Sequence, residues 1–273
     1  MWMARARPLL GTVVSIQAHI GDSTEPLVEC AVAEAFSTMD HIGRVMSAHN
    51  DDSDLARMAI ANPSHVLTLD AHTVHVIRAA QYWARVSAGA FDPCGAAQTL
   101  SRQQMRPGLV GNATGSLDDI EILSETDVRL AQPVQLDFGG IAKGYAVDCV
   151  IDVLLAHGVR DAMVNAGGDM RAVGQRKWTM DVRHANRTLR DVRLHRHPRL
   201  HQQALATSVA GELNSEFVLS RTHLKPKWHS VTVQADTCMT ADVLTKWAMQ
   251  SSLLCPSLRK VLRLNRGRMW RTQ

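Results

Sequence analysis

Residues 136–148 read Leu-Asp-Phe-Gly-Gly-Ile-Ala-Lys-Gly-Tyr-Ala-Val-Asp, the strongest local signal in the chain. The alternation of apolar and polar residues over 134–138 predicts a strand, and the two glycines that follow predict a tight turn. The pattern of residues 142–157 predicts a helix. A strand, a double glycine and a helix place free backbone N–H groups at a helix N-terminus, which favours an anion there. This segment therefore predicts a site for phosphate or diphosphate.

Two charged residues flank the double glycine. Lys143 adds a cation in the first helical turn, and Asp137 is a candidate acceptor for a ligand hydroxyl or base. The alternative is an ordinary strand–turn–helix junction, in which the glycines only satisfy backbone geometry and Asp137 caps the helix. The segment is neither a Walker A loop nor a G-x-G-x-x-G fingerprint, so an ordinary NTPase or Rossmann dehydrogenase is not indicated.

A second glycine turn, Gly167-Gly168-Asp169, ends the strand predicted at residues 162–165. The carboxylate of Asp169 either faces the same cleft or holds the turn, and the structural role is the favoured interpretation. Near the C-terminus, Asp242 and Thr245 lie on one face of a final helix predicted over residues 240–253. A carboxylate with a hydroxyl is an oxygen set that suits Mg²⁺. The alternative is that Thr240 or Asp242 caps this helix.

The remaining pattern mixes helices and strands without strict alternation. A helical stripe covers residues 23–46, a short helix is capped by Ser53 or Asp54, and another helix covers residues 70–87. Further strands are predicted at residues 13–16, 178–182, 189–194, 203–207 and 231–233. The expected class is α+β, with mixed or antiparallel sheets and packed helices.

Composition excludes several classes of protein. The chain has 273 residues, a formal net charge of +4 and only 4% aromatic residues, a poor basis for nucleic-acid binding. Its five cysteines are widely spaced without a C-x-x-C pair, which argues against a disulfide framework or a thiolate zinc site. The histidines at 195, 197 and 201 lie in an Arg-rich stretch and are expected to be solvated loop residues. No run of 18 apolar residues predicts a membrane span.

In their order along the chain, these motifs resemble the ApbE family of flavin transferases, the FAD:protein FMN transferases. The matching segments are Leu10-Gly-Thr12, residues 46–55, Ala90-Phe-Asp-Pro93, residues 137–146, Val164-Asn-Ala-Gly-Gly-Asp169, Ala206-Thr-Ser208 and residues 231–242. They span nearly the whole chain, so a single flavin-transferase domain over residues 1–273 is expected.

The resemblance implies a Mg²⁺-dependent enzyme that transfers FMN from FAD to a Ser or Thr hydroxyl of a target flavoprotein and releases AMP. It implies an FAD site lined by Leu10, Ser47, Ala48, His49, Ala90, Phe91, Asp92, Asp137 and Lys143. The resemblance implies that the backbone of Gly140 and the carboxylate of Asp242 hold the metal, with His223 as the base and Asp242 as a further catalytic residue. Thr245 joins the expected metal ligands through its spacing from Asp242.

The sequence departs from the family pattern in four places. Leu10 replaces the usual Met, and His49 replaces an aromatic residue. The shortened segment at residues 222–227 keeps His223 but lacks the Asp that usually follows it. Lys246 stands where the family has a metal-binding Thr, four residues after Asp242, and a Lys ammonium there repels Mg²⁺ or supplies part of its charge.

These departures keep two other functions open: a Mg²⁺-dependent FAD pyrophosphatase, with water in place of the acceptor hydroxyl, and an FAD-binding protein with impaired catalysis. The apolar run near the N-terminus is short, interrupted by Gly11 and Thr12, and lacks a lipid-accepting Cys. A cytoplasmic location is therefore expected, with the periplasm as the alternative that the resemblance implies.

Overall fold

The strands form three sheets in this computed structural model, which describes residues 1–94, 114–180, 198–210, 227–251 and 255–272. Within those residues the strands are β1 (Trp2–Leu9), β2 (Thr12–His19), β3 (Val66–Thr68), β4 (Ile120–Ile122), β5 (Asp127–Leu130), β6 (Ala162–Ala166), β7 (Asp169–Val173), β8 (Trp178–Thr179), β9 (Arg199–Leu200), β10 (Gln203–Val209), β11 (Ser230–Ala235) and β12 (Arg268–Thr272). The main sheet has the order β1-β2-β6-β7-β10-β11-β12, and every neighbouring pair in it is antiparallel.

The helices of the described residues are α1 (Glu25–Val45), α2 (Asp54–Ala59), α3 (Ala71–Val86), α4 (Ala142–Ala156), α5 (Cys238–Gln250) and α6 (Pro256–Leu264). The predicted helices at residues 23–46, 70–87 and 142–157 are thus confirmed to within a few residues. Ser53 caps α2, since its side chain accepts from the Ala56 N–H, and Asp70 caps α3 through the His72 N–H. Within these residues, no helix combines the length and apolarity needed to cross a membrane.

Contacts divide the chain into two compact units. Unit 1 comprises Met1–His41, Lys143–Glu212 and Lys227–Gln273 and holds the seven-stranded sheet, and unit 2 comprises Ile42–Ala142 and Leu213–Pro226. The small sheet of unit 2 has the order β3-β5-β4, and both of its pairs are antiparallel. The α+β class with antiparallel sheets and packed helices is confirmed. The extent of a single flavin-transferase domain stays a prediction.

The strand predicted at residues 134–138 is wrong. The segment belongs to no sheet, and its N–H groups bond outside any ladder: Val134 donates to the Met58 carbonyl and Asp137 to the Pro93 carbonyl. Burial does not alternate there, since residues 134–136 and 138 are buried and Asp137 is half-buried. The alternation of apolar and polar residues in the sequence does not by itself supply a partner strand.

The C-terminal prediction is right in kind and wrong in extent. The helix predicted over residues 240–253 begins earlier, at Cys238, and ends at Gln250. It is not the last element, because α6 and β12 follow, and β12 pairs with β11 as an edge strand of the main sheet. At the other edge, β1 was not predicted, and it pairs with β2 over its whole length. The strand predicted at residues 189–194, and His195 and His197, lie outside the described residues.

Candidate functional site

The start of α5 is held by a carboxylate from α4. Both oxygens of Asp148 accept backbone hydrogen bonds at 2.9 Å, Oδ1 from the Cys238 N–H and Oδ2 from the Met239 N–H. Thr237 is the N-cap, and its hydroxyl accepts from the Thr240 N–H at 3.2 Å. The first N–H groups of α5 are therefore satisfied within the protein. Neither Thr240 nor Asp242 caps this helix, so the capping alternative for Asp242 is wrong.

Arg171 on β7 completes this junction, with Nη1 2.9 Å from Oδ1 of Asp148. Burial raises the pKa of Asp148 above its ordinary value, while Arg171 and the two helix N–H groups act against that rise. The carboxylate thus ties α4, α5 and β7 together at one point of unit 1.

Close packing at Gly144 brings α4 and α5 into backbone contact. A Cβ atom on Gly144 would lie 2.5 Å from the carbonyl oxygen of Cys238 and 2.8 Å from the Cα of Met239. Only glycine fits this approach. The Gly144 N–H points to Oδ2 of Asp242 at 3.4 Å, so the approach places the Asp242 carboxylate against the first turn of α4.

Asp242 belongs to a buried network on one face of α5. Lys246, one turn later, places its ammonium 3.0 Å from Oδ1 of Asp242. That ammonium also donates to the hydroxyl of Ser208 on β10 in a very short contact and lies 3.4 Å from Oγ1 of Thr245. The Thr245 hydroxyl is 2.6 Å from Oγ of Ser208 and donates to the Asp242 carbonyl, also at 2.6 Å. The four residues are almost entirely excluded from solvent.

Lys143 and Asp169 form a second ion pair, with Nζ 2.7 Å from Oδ2. The Lys143 side chain is 33% exposed, whereas that of Asp169 is 1% exposed. Asp169 is therefore more than the turn residue that the sequence indicated, because it begins β7 and orients the cation at the start of α4. The glycines before it make the two-residue β6–β7 turn, with φ of 66° at Gly167 and 104° at Gly168.

The two ion pairs act on each other electrically. Burial raises the pKa of Asp169 to about 6, helped by the like charge of Asp242 and opposed by Lys143 and Lys246. Burial alone would lower the pKa of Lys143, but the carboxylates of Asp169 and Asp242 outweigh it and raise that pKa above its ordinary value. Lys143 is thus a cation at every physiological pH.

The free N–H groups predicted at the start of α4 are largely used. The Ile141 and Ala142 N–H groups donate to the Phe138 carbonyl at 3.0 and 2.8 Å, and the Gly144 N–H faces Asp242. In the part of this segment that belongs to unit 1, the group that can bind an anion is therefore the ammonium of Lys143, whose side chain is 33% exposed. An ammonium in this position binds a phosphate oxygen by a charge-assisted hydrogen bond.

The side chains around Asp242 do not fit a bound Mg²⁺. The Lys246 ammonium occupies Oδ1 of Asp242, and the hydroxyl of Thr245 is committed to Ser208 and to a backbone carbonyl. An ammonium and a divalent ion about 4 Å apart repel by on the order of 8 kcal/mol at an effective dielectric constant of 20. No group of three or more His, Cys, Asp or Glu side chains in the described ranges is arranged to hold a metal ion.

In unit 2, two predicted segments meet. The Asp137 N–H donates to the Pro93 carbonyl at 3.1 Å, which brings the 90–93 segment beside the 137–140 turn. Oδ1 of Asp137 accepts from the Gly139 N–H at 2.7 Å, so this carboxylate shapes the glycine turn. Phe91 and Asp92 are buried, Ala90 and Asp137 are half-buried, and Gly140 is buried after the exposed Gly139.

The other predicted residues lie in two turns. Ser47, Ala48 and His49 follow α1 in unit 2, where the His49 N–H donates to the Ser47 hydroxyl at 3.2 Å. Leu10 and Gly11 form the two-residue β1–β2 turn of unit 1, and both have positive φ, 53° and 69°. His223, the predicted base, lies outside the described residues.

Three residues of the site were missed by sequence reasoning: Asp148, Arg171 and Ser208. Ser208 lay within a segment quoted for the resemblance, and Asp148 closed the stretch that begins at Leu136, yet neither received a role. Their hydrogen-bond and ion-pair partners are distant in sequence, and no local sequence pattern predicts such contacts. The one available signal was chemical, because buried helix positions such as Asp148 rarely hold an unpaired charge.

Fold and site together define an α+β protein in which two lysines and two aspartates form ion pairs beside the starts of two closely packed helices. The chain belongs to the ApbE family, whose model matches residues 10–253.

Curated relatives carry the name FAD:protein FMN transferase. The protein from Treponema pallidum (strain Nichols) is 29% identical over 196 residues, which cover 63% of this chain and 51% of the relative, so the match spans about half of that relative's length. The protein from Vibrio cholerae (strain O395) is 27% identical over 273 residues, covering 89% of this chain and 79% of the relative. These names denote a transferase enzyme.

Solved structures share the fold. The flavin transferase ApbE from Vibrio cholerae aligns with a TM-score of 0.77 at 21% identity, covering 99% of this chain and 93% of that one. The ApbE protein from Thermotoga maritima aligns with a TM-score of 0.79 at 22% identity, covering 100% and 97%. At this identity the likeness establishes the α+β fold.

Proposed function

We propose that this chain transfers the FMN moiety of FAD to a Ser or Thr hydroxyl of a target flavoprotein and releases AMP. Membership of the ApbE family and the name of the curated relatives support the reaction class. The observation that carries the proposal to this chain is the ion pair of Lys143 with Asp169, which holds a partly exposed lysine side chain in the first turn of α4.

The proposed reaction exchanges the phosphoanhydride bond of FAD for a phosphate ester bond to the acceptor hydroxyl. The acceptor hydroxyl oxygen attacks the phosphorus on the FMN side of the diphosphate, and the bond from that phosphorus to the bridging oxygen breaks. AMP leaves with the bridging oxygen, and the hydroxyl proton passes to a base, for which His223 is the predicted residue. Negative charge builds on the diphosphate oxygens in the transition state, where a fixed cation gives the largest benefit.

Lys143 is the residue suited to that charge. Its ammonium is held by Asp169, and its side chain is 33% exposed, so we expect it to contact a diphosphate oxygen without losing its partner. Lys143→Met is expected to weaken FAD binding by about 10- to 100-fold, the range for one charge-assisted hydrogen bond. Lys260→Met, at an exposed position on α6, is the matched control and is expected to leave FAD binding unchanged.

The test is incubation with FAD and an acceptor protein first shown to be flavinylated by the Vibrio cholerae flavin transferase. The expected result is an acceptor heavier by one FMN moiety, one AMP per transfer, and no labelling when the acceptor hydroxyl residue is replaced by Ala. FMN and AMP released at the same rate without acceptor would replace the proposal by FAD pyrophosphatase activity. FAD binding without any product would replace it by a binding role.

Two finer expectations stay predictions. They are the dependence on Mg²⁺, which the resemblance implies, and the cytoplasmic location, for which the resemblance implies the periplasm as the alternative. The Lys246 ammonium at Oδ1 of Asp242 argues against Asp242 and Thr245 as ligands of Mg²⁺. No step of the proposed reaction uses that ion.

A further inference from the structure

We propose that the ammonium of Lys246 is a built-in cation for the Asp242 carboxylate, and that this chain therefore binds no divalent metal ion there. Its corollary is that FAD binding at this site needs no divalent ion. The corollary rests on the proposed flavin transfer, whereas the statement about the metal does not.

The contacts of Lys246 account for all of its donors. An ammonium has three N–H groups, and the Nζ of Lys246 has three oxygen neighbours: Oγ of Ser208, Oδ1 of Asp242 at 3.0 Å and Oγ1 of Thr245 at 3.4 Å. The side chain is 5% exposed, so these neighbours replace the water that a surface lysine would bind. A lysine held in this way is a fixed part of the site.

The oxygens that suit a metal are engaged by the same network. Oδ1 of Asp242 accepts a hydrogen bond from the Lys246 ammonium, and Oδ2 faces the Gly144 N–H at 3.4 Å. The Thr245 hydroxyl donates to the Asp242 carbonyl and shares a hydrogen bond with Ser208. A hard cation would have to displace the ammonium before it could reach a carboxylate oxygen of Asp242.

Charge within the cluster is already balanced. Lys143 and Lys246 carry two positive charges, and Asp169 and Asp242 carry two negative charges when ionised. Of the two cations, Lys143 is 33% exposed and Lys246 is 5% exposed. Lys246 thus neutralises Asp242 from within, and Lys143 is the cation that a substrate phosphate reaches.

The decisive measurement is Mn²⁺ binding, followed by electron paramagnetic resonance of the free ion, on the full chain without FAD. The wild-type chain and the exposed control Lys260→Thr are expected to show no stoichiometric binding at millimolar Mn²⁺. Lys246→Thr frees the carboxylate and supplies a hydroxyl, so it is expected to bind one Mn²⁺ at least about tenfold more tightly than the wild type. Adding Asp242→Asn to that variant is expected to abolish the gain.

If Lys246→Thr fails to fold, the comparison of the wild type with Asp242→Asn decides the question. Stoichiometric Mn²⁺ binding by the wild type that disappears in Asp242→Asn would overturn the proposal. So would wild-type affinity equal to that of a folded Lys246→Thr variant.

FAD binding then tests the corollary. Wild-type FAD affinity is expected to be the same in EDTA as in Mg²⁺, whereas that of Lys246→Thr is expected to rise with Mg²⁺. A wild-type FAD affinity that requires Mg²⁺ would overturn the corollary. If FAD does not bind at all, the proposed flavin transfer fails, and the Mn²⁺ titration still decides whether Lys246 excludes a metal ion.

Discussion

Lys143 and Asp169 form an ion pair, 2.7 Å between Nζ and Oδ2, that joins the first turn of α4 to the first residue of β7. The pair couples a partly exposed cation to a buried carboxylate. Asp242 stands near enough to raise the pKa of both partners. The ionisation of Asp169 therefore sets the net charge of the cluster, which is neutral when Asp169 is ionised and carries one positive charge when it is protonated.

The raised pKa of Asp169 predicts an unusual pH dependence of stability. Its folded-state pKa of about 6 lies above the ordinary value of 3.8, so the folded state holds the proton more tightly than the unfolded state does. Between these values the native state binds more protons, and the Asp169 contribution to the free energy of unfolding falls as pH rises. The free energy of unfolding of the wild type, measured relative to that of Asp169→Asn, should fall by on the order of 3 kcal/mol between about pH 4 and pH 7.

Urea unfolding of both proteins across that pH range measures this difference and cancels the other carboxylates. Asp152→Asn, at an exposed position on α4, serves as the control and should track the wild type at every pH. A constant difference between the wild type and Asp169→Asn would show that Asp169 keeps an ordinary pKa.

Asp148 is expected to be among the residues most sensitive to truncation. Asp148→Ala leaves the Cys238 and Met239 N–H groups and the Arg171 guanidinium without their shared acceptor. The expected loss is about 3 to 5 kcal/mol in the free energy of unfolding, because a buried charge is left unpaired. Asp148→Asn keeps one acceptor oxygen and should lose less stability.

The control is Asp152→Ala, on the same helix but exposed, which should change the free energy of unfolding by under about 0.5 kcal/mol. Equal effects at the two positions would contradict this account of the helix junction.

Local sequence patterns predicted the elements that carry the site. The helix containing Lys143, the helix containing Asp242 and Thr245, and the strand before Gly167 were all predicted, since each has its own periodicity or glycine punctuation. The capping of α2 by Ser53 followed from the same local chemistry. These features depend on residues within a turn or two of one another.

The contacts that give the site its chemistry depend on tertiary structure. Asp169 meets Lys143 only because the β6–β7 hairpin places the start of β7 beside α4, and Ser208 meets Lys246 because α5 packs on β10. The wrong strand at residues 134–138 has the same origin, since the N–H groups of Val134 and Asp137 bond to carbonyls distant in sequence and not to a partner strand. For the metal site, sequence supplied the position of Lys246, and its saturation by three oxygen atoms required the structure.

Gly144→Ala should be destabilising, although the same change in an exposed helix stabilises by about 1 kcal/mol. The new Cβ would meet the Cys238 carbonyl oxygen at 2.5 Å, and that oxygen is backbone and cannot rotate away. We expect a loss of about 2 kcal/mol or more in the free energy of unfolding, because α4 and α5 must separate. Chemical denaturation gives the sign directly, and a gain in stability would mean that the two helices do not approach this closely.

Leu10 occupies the first position of the β1–β2 turn with φ of 53°, a conformation that costs a bulky residue about 1 kcal/mol. The two-residue turn requires positive φ at both central positions, for which Asn-Gly is the favoured pair. Leu10→Asn should therefore raise the free energy of unfolding by up to about 1 kcal/mol.

If Leu10 contacts FAD, as the resemblance implies, the same variant should weaken FAD binding while it stabilises the free protein. Thermal unfolding without FAD and FAD titration separate these effects, and Gly11→Ala, which adds a side chain at φ of 69°, should destabilise the turn. A Leu10→Asn variant that gains stability and keeps full FAD affinity would remove Leu10 from the flavin site and leave its strained conformation without a function.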